Sequence, residues 1–160
     1  AYFACGHQTV AVIGDGSIMM NLQELQTIRY HNIPIKIIVV NNNVYAIIRK
    51  RQVELFRTRT IGTDPDNGVG CPNFQKVAEC FEIPYIRIEN STDLKSKIAS
   101  VINMNGPALC EVLGVEDQDY LRSAYAHNSQ RRIIQRPIED QAPFIDRSLF
   151  LSEMIIKPID

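Results

Sequence analysis

The sequence carries no surplus of positive charge: 17 Lys and Arg stand against 18 Asp and Glu, for a net charge of −1. Without a basic stripe, nothing releases counterions from a phosphate backbone, so nucleic acid is not an expected partner. Long hydrophobic runs are missing too. Stretches such as Ile37–Val40 cover a few residues, against the roughly 20 needed to cross a bilayer, so no membrane partner is expected. The four cysteines, Cys5, Cys71, Cys80 and Cys110, lie far apart and include no C-x-x-C pair. That points to reduced thiols in the cytoplasm rather than a disulfide framework or a zinc site. Cys5 and His7 make two ligands with no second pair, which is ordinary loop composition. The start, Ala1-Tyr2-Phe3, lacks an initiator Met, a basic segment and a long apolar segment. It reads as neither signal nor transit peptide, and predicts that more chain precedes it.

What is present is the ordinary balance of a folded domain, 45% hydrophobic and 22% charged with eight Gly and eight Pro. Its 160 residues suffice to bury one core. Short runs rich in Val and Ile alternate with helical patterns, as in a parallel sheet covered on both faces. Strands are predicted at Thr9–Gly14, Ile35–Val40, Tyr85–Ile88 and Pro107–Leu113. Helices are predicted after Ser17, with Asn21 and Glu24 spaced as a capping box, and over about Tyr45–Phe56, Asn73–Phe81 and Asp93–Asn103. Pro34 ends the first of these helices by Asn32. Arg57–Pro72, with little apolar content, predicts a long mobile loop. The expected fold is α/β, a doubly wound, mostly parallel sheet with helices on both faces, over residues 1–115. Residues 116–160, polar and without a firm period, predict an irregular C-terminal tail on the same or a neighbouring subunit.

Asp15 closes the first strand and Asn42 the second, 27 residues later, with one crossover helix between them. In a parallel βαβ unit both emerge at the carboxyl edge of the sheet, where open α/β folds bind ligands. A carboxylate, an amide oxygen and a loop carbonyl such as that of Val44 are hard donors suited to Mg²⁺, which commonly shares its shell with phosphates. Gly16 lets backbone amides approach an anion, Ser17 adds a hydroxyl, and the following helix offers its positive end. A diphosphate is the natural ligand. Either turn alone is explained by ordinary turn chemistry; the pair, one crossover apart, points to a site.

These residues carry a resemblance. Gly14-Asp15-Gly16-Ser17-Ile18-Met19-Met20-Asn21, followed by Ile33-Pro34-Ile35 and Val40-Asn41-Asn42, resembles the thiamine diphosphate-dependent enzymes, and within them the acetolactate synthase group. Gly106-Pro107-Ala108-Leu109-Cys110-Glu111-Val112 and the stretch from Arg136 to Phe144 extend it over nearly the whole chain. The resemblance implies the C-terminal, diphosphate-binding domain of a larger subunit. Asp15, Asn42 and Val44 would then hold Mg²⁺, while Gly14, Gly16 and Ser17 meet the diphosphate. It further implies an upstream domain that binds the pyrimidine ring and supplies the activating glutamate, so this chain carries no catalytic residue of its own. The implied substrate is a small 2-oxo acid, decarboxylated and joined to a second carbonyl compound, in a homo-oligomer (dimer or tetramer). Ala46 departs from the Gly that many relatives have.

Two other readings remain at this point, a 2-oxo acid decarboxylase that protonates its carbanion and a non-catalytic module that binds a phosphorylated ligand. Glu24 reads as a helix cap and His31 as a helix-end residue suited to the dipole. Arg49, Lys50, Arg51, Arg57 and Arg59 read as a solvated basic face.

Overall fold

A computed structural model describes residues 1–57, 59–118, 125–127, 133–135, 139–140 and 144–156. A one-turn helix, α1 (Tyr2–Cys5), precedes β1 (Thr9–Gly14). Next come α2 (Asp15–Ile18), a 3-10 turn over Met19–Asn21, α3 (Glu24–Tyr30), β2 (Ile35–Asn41) and α4 (Ala46–Phe56). They are followed by α5 (Phe74–Cys80), β3 (Tyr85–Ile88), α6 (Ser91–Ile102) and β4 (Ala108–Leu113). The chain divides into two compact units, Ala1–Asp117 and Gln118–Asp160.

The first unit is a four-stranded sheet in the order β1-β2-β4-β3, with every neighbouring pair parallel. The expected α/β fold is borne out. On one face Ile37, Val39 and Leu109 pack with Ile18, Leu25, Phe74, Ala78 and Ile83; on the other, Ile88, Ala108 and Cys110 pack with Val101. β4 buries four successive residues, Ala108 to Glu111, because as an inner strand it is covered on both sides. Register sets Gly14 opposite Val40 and Asn41 opposite Leu113, which brings the ends of three strands level. Asn73 caps α5 by accepting from the Lys76 amide, and Asn90 caps α6 by accepting from that of Asp93. The Asn90 cap starts α6 two residues before the expected Asp93.

Three expectations need correction. Asn21 and Glu24 form no capping box: the backbone turns through the 3-10 segment, Gln23 takes the N-cap position of α3, and the Glu24 carboxylate accepts from the Thr27 hydroxyl. The described residues of the C-terminal unit are not irregular throughout, since β5 (Tyr125–His127) pairs antiparallel with β6 (Ile133–Gln135) and α7 (Arg147–Glu153) follows. Asp146 caps α7 by accepting from the amides of Ser148 and Leu149, and Phe150 is buried; three-residue strands and a seven-residue helix are too short to show a period. The stretch before α5 is not a loose loop either, being tied to the start of α4.

Lys36 is a fully buried side chain, lying mid-sheet in β2. Its stem runs through the core, and its ammonium donates to the carbonyls of Met104, at 2.6 Å, and Gly106 in the turn leaving α6. Burial holds the ammonium below the ordinary lysine value. Lys36→Met keeps the stem but leaves two carbonyls without a donor. Urea denaturation is expected to show a loss of about 1–3 kcal/mol. Unchanged stability would mean that the carbonyls find other partners.

Candidate functional site

β1 ends at Gly14, and Asp15 opens α2 with its side chain folded back beneath the sheet edge, only 5% exposed. One carboxylate oxygen accepts from the Gly16 amide and the other from the Asn43 amide, each at 2.7 Å. The second bond joins the end of β1 to the turn after β2. Asn43 takes the left-handed conformation (φ 55°) that asparagine tolerates, which aims its amide at Asp15. No Lys, Arg or His among the described residues lies within ion-pair distance of Asp15. A buried carboxylate with two amide donors and no cation retains lone pairs for one, and its hard oxygens suit a small divalent ion.

A pocket beside it is lined by Asp15, Gly16, Asn43, Val44, Tyr45, Val69 and Cys71. Of the residues singled out from sequence, Asp15, Gly16 and Val44 are therefore brought together. Gly14 and Ser17 flank the pocket without lining it, Gly14 half-buried and Ser17 exposed. Asn42 lies next to the lining residue Asn43, but its Cβ stands against Gly114 beyond β4. The strand-following helix is shorter than expected. α2 has four residues, so the turn's own amides, rather than a long helix dipole, face the pocket, and that of Gly16 is already engaged by Asp15. Glycine is required at 16 for a local reason: a Cβ there would fall 2.2 Å from the Tyr45 ring. Ala46 sits buried as the first residue of α4.

Asn43, Tyr45, Val69 and Cys71 were not among the residues singled out. Asn43 is the third residue of the Asn41-Asn42-Asn43 run, and the tolerance of asparagine for the left-handed backbone is the one signal the sequence offered. Cys71 arrives from a distant loop. Burial first, then the charge of the Asp15 carboxylate and a hydrogen bond to it, push its thiol up to about 12, so it is an inert hydrogen-bond donor. The Cys71 amide also donates to the Asn43 side chain, at 3.4 Å.

The loop that delivers Cys71 is the third correction. Its described residues are held together by their own polar groups. The Asn67 side chain accepts from the amides of Thr63 and Asp64 and donates to the Asp64 carboxylate at 2.7 Å, and Thr63 is fully buried. The Thr63 carbonyl accepts from the Tyr45 amide at 2.7 Å, which ties the loop to the start of α4. Arg49 is no solvated cation either. It is 19% exposed and reaches Asp64 at 3.5 Å, Asp117 at 2.8 Å and Glu116. Burial pushes the Asp64 carboxyl up, but hydrogen bonds from Thr63 and Asn67 and the charge of Arg49 outweigh it and hold it below the ordinary value. Its share of stability is thus complete above the ordinary carboxylate range and lost as pH falls through the lowered folded value. Arg49→Met is expected to loosen the loop by about 1–2 kcal/mol. Faster hydrogen exchange at the Thr63 and Asn67 amides, with β2 and β4 unchanged, is the readout; equal exchange would assign the loop's order to Asn67 alone.

The model of the thiamine pyrophosphate (thiamine diphosphate) enzyme C-terminal TPP-binding domain matches residues 1–112. The chain belongs to this family. It is similar to acetolactate synthase large subunits, at 33% identity over 110 residues from Porphyra purpurea and 36% over 104 residues from Cyanidium caldarium. It is also 30% identical over 112 residues to the chloroplastic acetolactate synthase 1 of Zea mays. These matches cover 69%, 65% and 68% of this chain and 18%, 17% and 18% of the relatives. The chain thus spans less than a fifth of the curated relatives it matches. The whole parallel sheet and the pocket at its carboxyl edge lie in the stretch that this TPP-binding domain model spans, apart from Leu113 at the end of β4.

Proposed function

We propose that this chain is the diphosphate- and Mg²⁺-holding part of an enzyme that decarboxylates a small 2-oxo acid and joins the resulting two-carbon unit to a second carbonyl compound, as acetolactate synthases do. The observation that carries the metal assignment is Asp15, a buried carboxylate with no cationic partner among the described residues, pinned to the turn after β2. In this reading Asp15, Asn42 and the Val44 carbonyl take Mg²⁺, and Gly14, Gly16 and Ser17 meet the diphosphate. Thiamine diphosphate, when bound, would supply the carbanion chemistry that a 2-oxo acid decarboxylation needs. This chain's residues anchor the cofactor and exclude water from its charged end, and none of them is catalytic.

Residues 1–115 form the cofactor-holding domain and 116–160 a C-terminal segment that packs on the same or a neighbouring subunit. A pyrimidine-binding domain lies upstream in the full-length protein. Val10, Val12 and Val40 on one sheet face, and Ile47, Leu55 and Phe56 on α4, are exposed apolar groups, which supports a homo-oligomer, a dimer or tetramer. Four unpaired thiols support work in the cytoplasm, and no helix among the described residues is long and apolar enough to cross a membrane.

The test is product analysis of the full-length protein with pyruvate, Mg²⁺ and thiamine diphosphate. Acetolactate is expected. Acetaldehyde alone would replace ligation by simple decarboxylation, and no product together with no cofactor binding would leave a non-catalytic module.

A further inference from the structure

Glu111 is a second buried carboxylate, 5% exposed in the middle of β4. Like Asp15 it has no cation within ion-pair distance among the described residues. Register places Glu111 opposite Val39 on one side and Arg87 on the other, so Asn41 of β2 and Tyr85 of β3 are its diagonal neighbours on the same face. Both reach it. Asn41 Nδ2 donates to one carboxylate oxygen at 2.6 Å and the Tyr85 hydroxyl donates to the other. A sheet that needed only packing would be better served by an apolar residue here, because a buried charge is costly to keep.

The bond to Asn41 has a directional consequence. A carboxylate only accepts, so it draws the NH₂ end of the Asn41 amide toward itself and turns the oxygen away. That oxygen accepts from the Asn43 amide at 2.9 Å, the same amide that donates to Asp15. One chain of bonds thus runs from Tyr85 of β3 through Glu111 of β4, Asn41 of β2 and Asn43 to Asp15, the residue that follows β1. Asn42 sits between the two residues so held.

We propose that Glu111 is a positioning residue for the turn 41–44: by fixing which way the Asn41 amide faces, it holds the Asn43 amide on Asp15 and sets the turn that presents Asn42 and Val44. This rests on the Mg²⁺–diphosphate reading given above. Glu111 does not line the pocket and acts through Asn41.

The test exploits the donor–acceptor pattern. Glu111→Gln alone leaves two satisfied arrangements. In one its NH₂ donates to the Asn41 oxygen and flips Asn41; in the other its NH₂ turns to the Tyr85 hydroxyl and Asn41 stays in place, so the diagnostic single variant is Asn41→Asp. In Asn41→Asp two carboxylates meet. In the double variant the carboxylate now at position 41 accepts from both the amide now at position 111 and the Asn43 N–H, and the pattern is restored with the charge moved across. Binding of thiamine diphosphate to the full-length protein at fixed Mg²⁺ is measured by calorimetry, beside the thermal midpoint of the cofactor-free protein. Asn41→Asp is expected to bind about tenfold more weakly, as for loss of an outer-shell partner, and the double variant to recover most of that. Asn41→Asp binding as well as the unsubstituted protein, a double no better than Asn41→Asp, or losses confined to the thermal midpoint would each overturn the proposal. Absence of Mg²⁺-dependent binding in the unsubstituted protein would instead strike the functional reading beneath it.

Discussion

Asp15→Asn is expected to weaken Mg²⁺-dependent binding of thiamine diphosphate by more than about a hundredfold, beyond what loss of an outer-shell partner costs, while the cofactor-free protein keeps its thermal midpoint. The two halves of this expectation have separate causes. Binding falls because the substitution removes the one charged donor that the site offers a divalent cation. Stability holds because two changes oppose each other. An unpaired buried charge is relieved, which favours folding, while the amide offers an acceptor to only one of the Gly16 and Asn43 N–H groups. Asp15→Ala removes both acceptors and is expected to lose stability as well, so the asparagine variant is the more discriminating one. Calorimetry with Mg²⁺, paired with a melting curve, reads both effects. Affinity within a few-fold of the unsubstituted protein would remove Asp15 from the metal.

The second large effect lies in the core. Phe74, 1% exposed at the start of α5, belongs to the cluster that holds Ile18 and Leu25 under β2 and β4. Phe74→Ala leaves a cavity where a whole ring had packed, and the expected loss is about 3–5 kcal/mol. For a domain whose total stability is about 5–15 kcal/mol, that is enough to populate the unfolded chain at modest temperature. Denaturant titration reads it directly. A loss under about 1 kcal/mol would mean that the cluster collapses into the space. Phe74 also follows Cys71 by three residues, and Ile18 closes the helix begun by Asp15. The same core therefore supports both sides of the pocket, and Phe74→Ala should weaken cofactor binding at least in proportion to the unfolded fraction.

How much of this was legible depended on sequence distance. β1 occupies the expected Thr9–Gly14, and β2 runs one residue past its expected end because Asn41 pairs with Leu113. Runs of Val and Ile and the Asn73 cap are local signals, and they survived folding. Asp15 and the β2 turn could be placed at one edge because a parallel crossover forces it. What was missed is held by partners far along the chain. The loop before α5 reads as mobile from composition, yet its Thr, Asp and Asn bond to one another rather than to water. Composition does not distinguish these cases. Arg49 looks like one of several surface cations until Asp64 and Glu116 come within reach from 15 and 67 positions away. Lys36 in an apolar strand gives no hint of the two carbonyls it serves, and Glu111 meets Asn41 only once the strand order is known. Cys71 belongs to the same group: nothing near it in sequence says that it faces Asp15.

The most direct measurement is calorimetric titration of thiamine diphosphate into the full-length protein, first with Mg²⁺ and then with a chelator in excess. The account predicts saturable binding with one cofactor per chain that disappears with the chelator, since the diphosphate is held through the ion on Asp15. Equal binding in both conditions, or none in either, would contradict it.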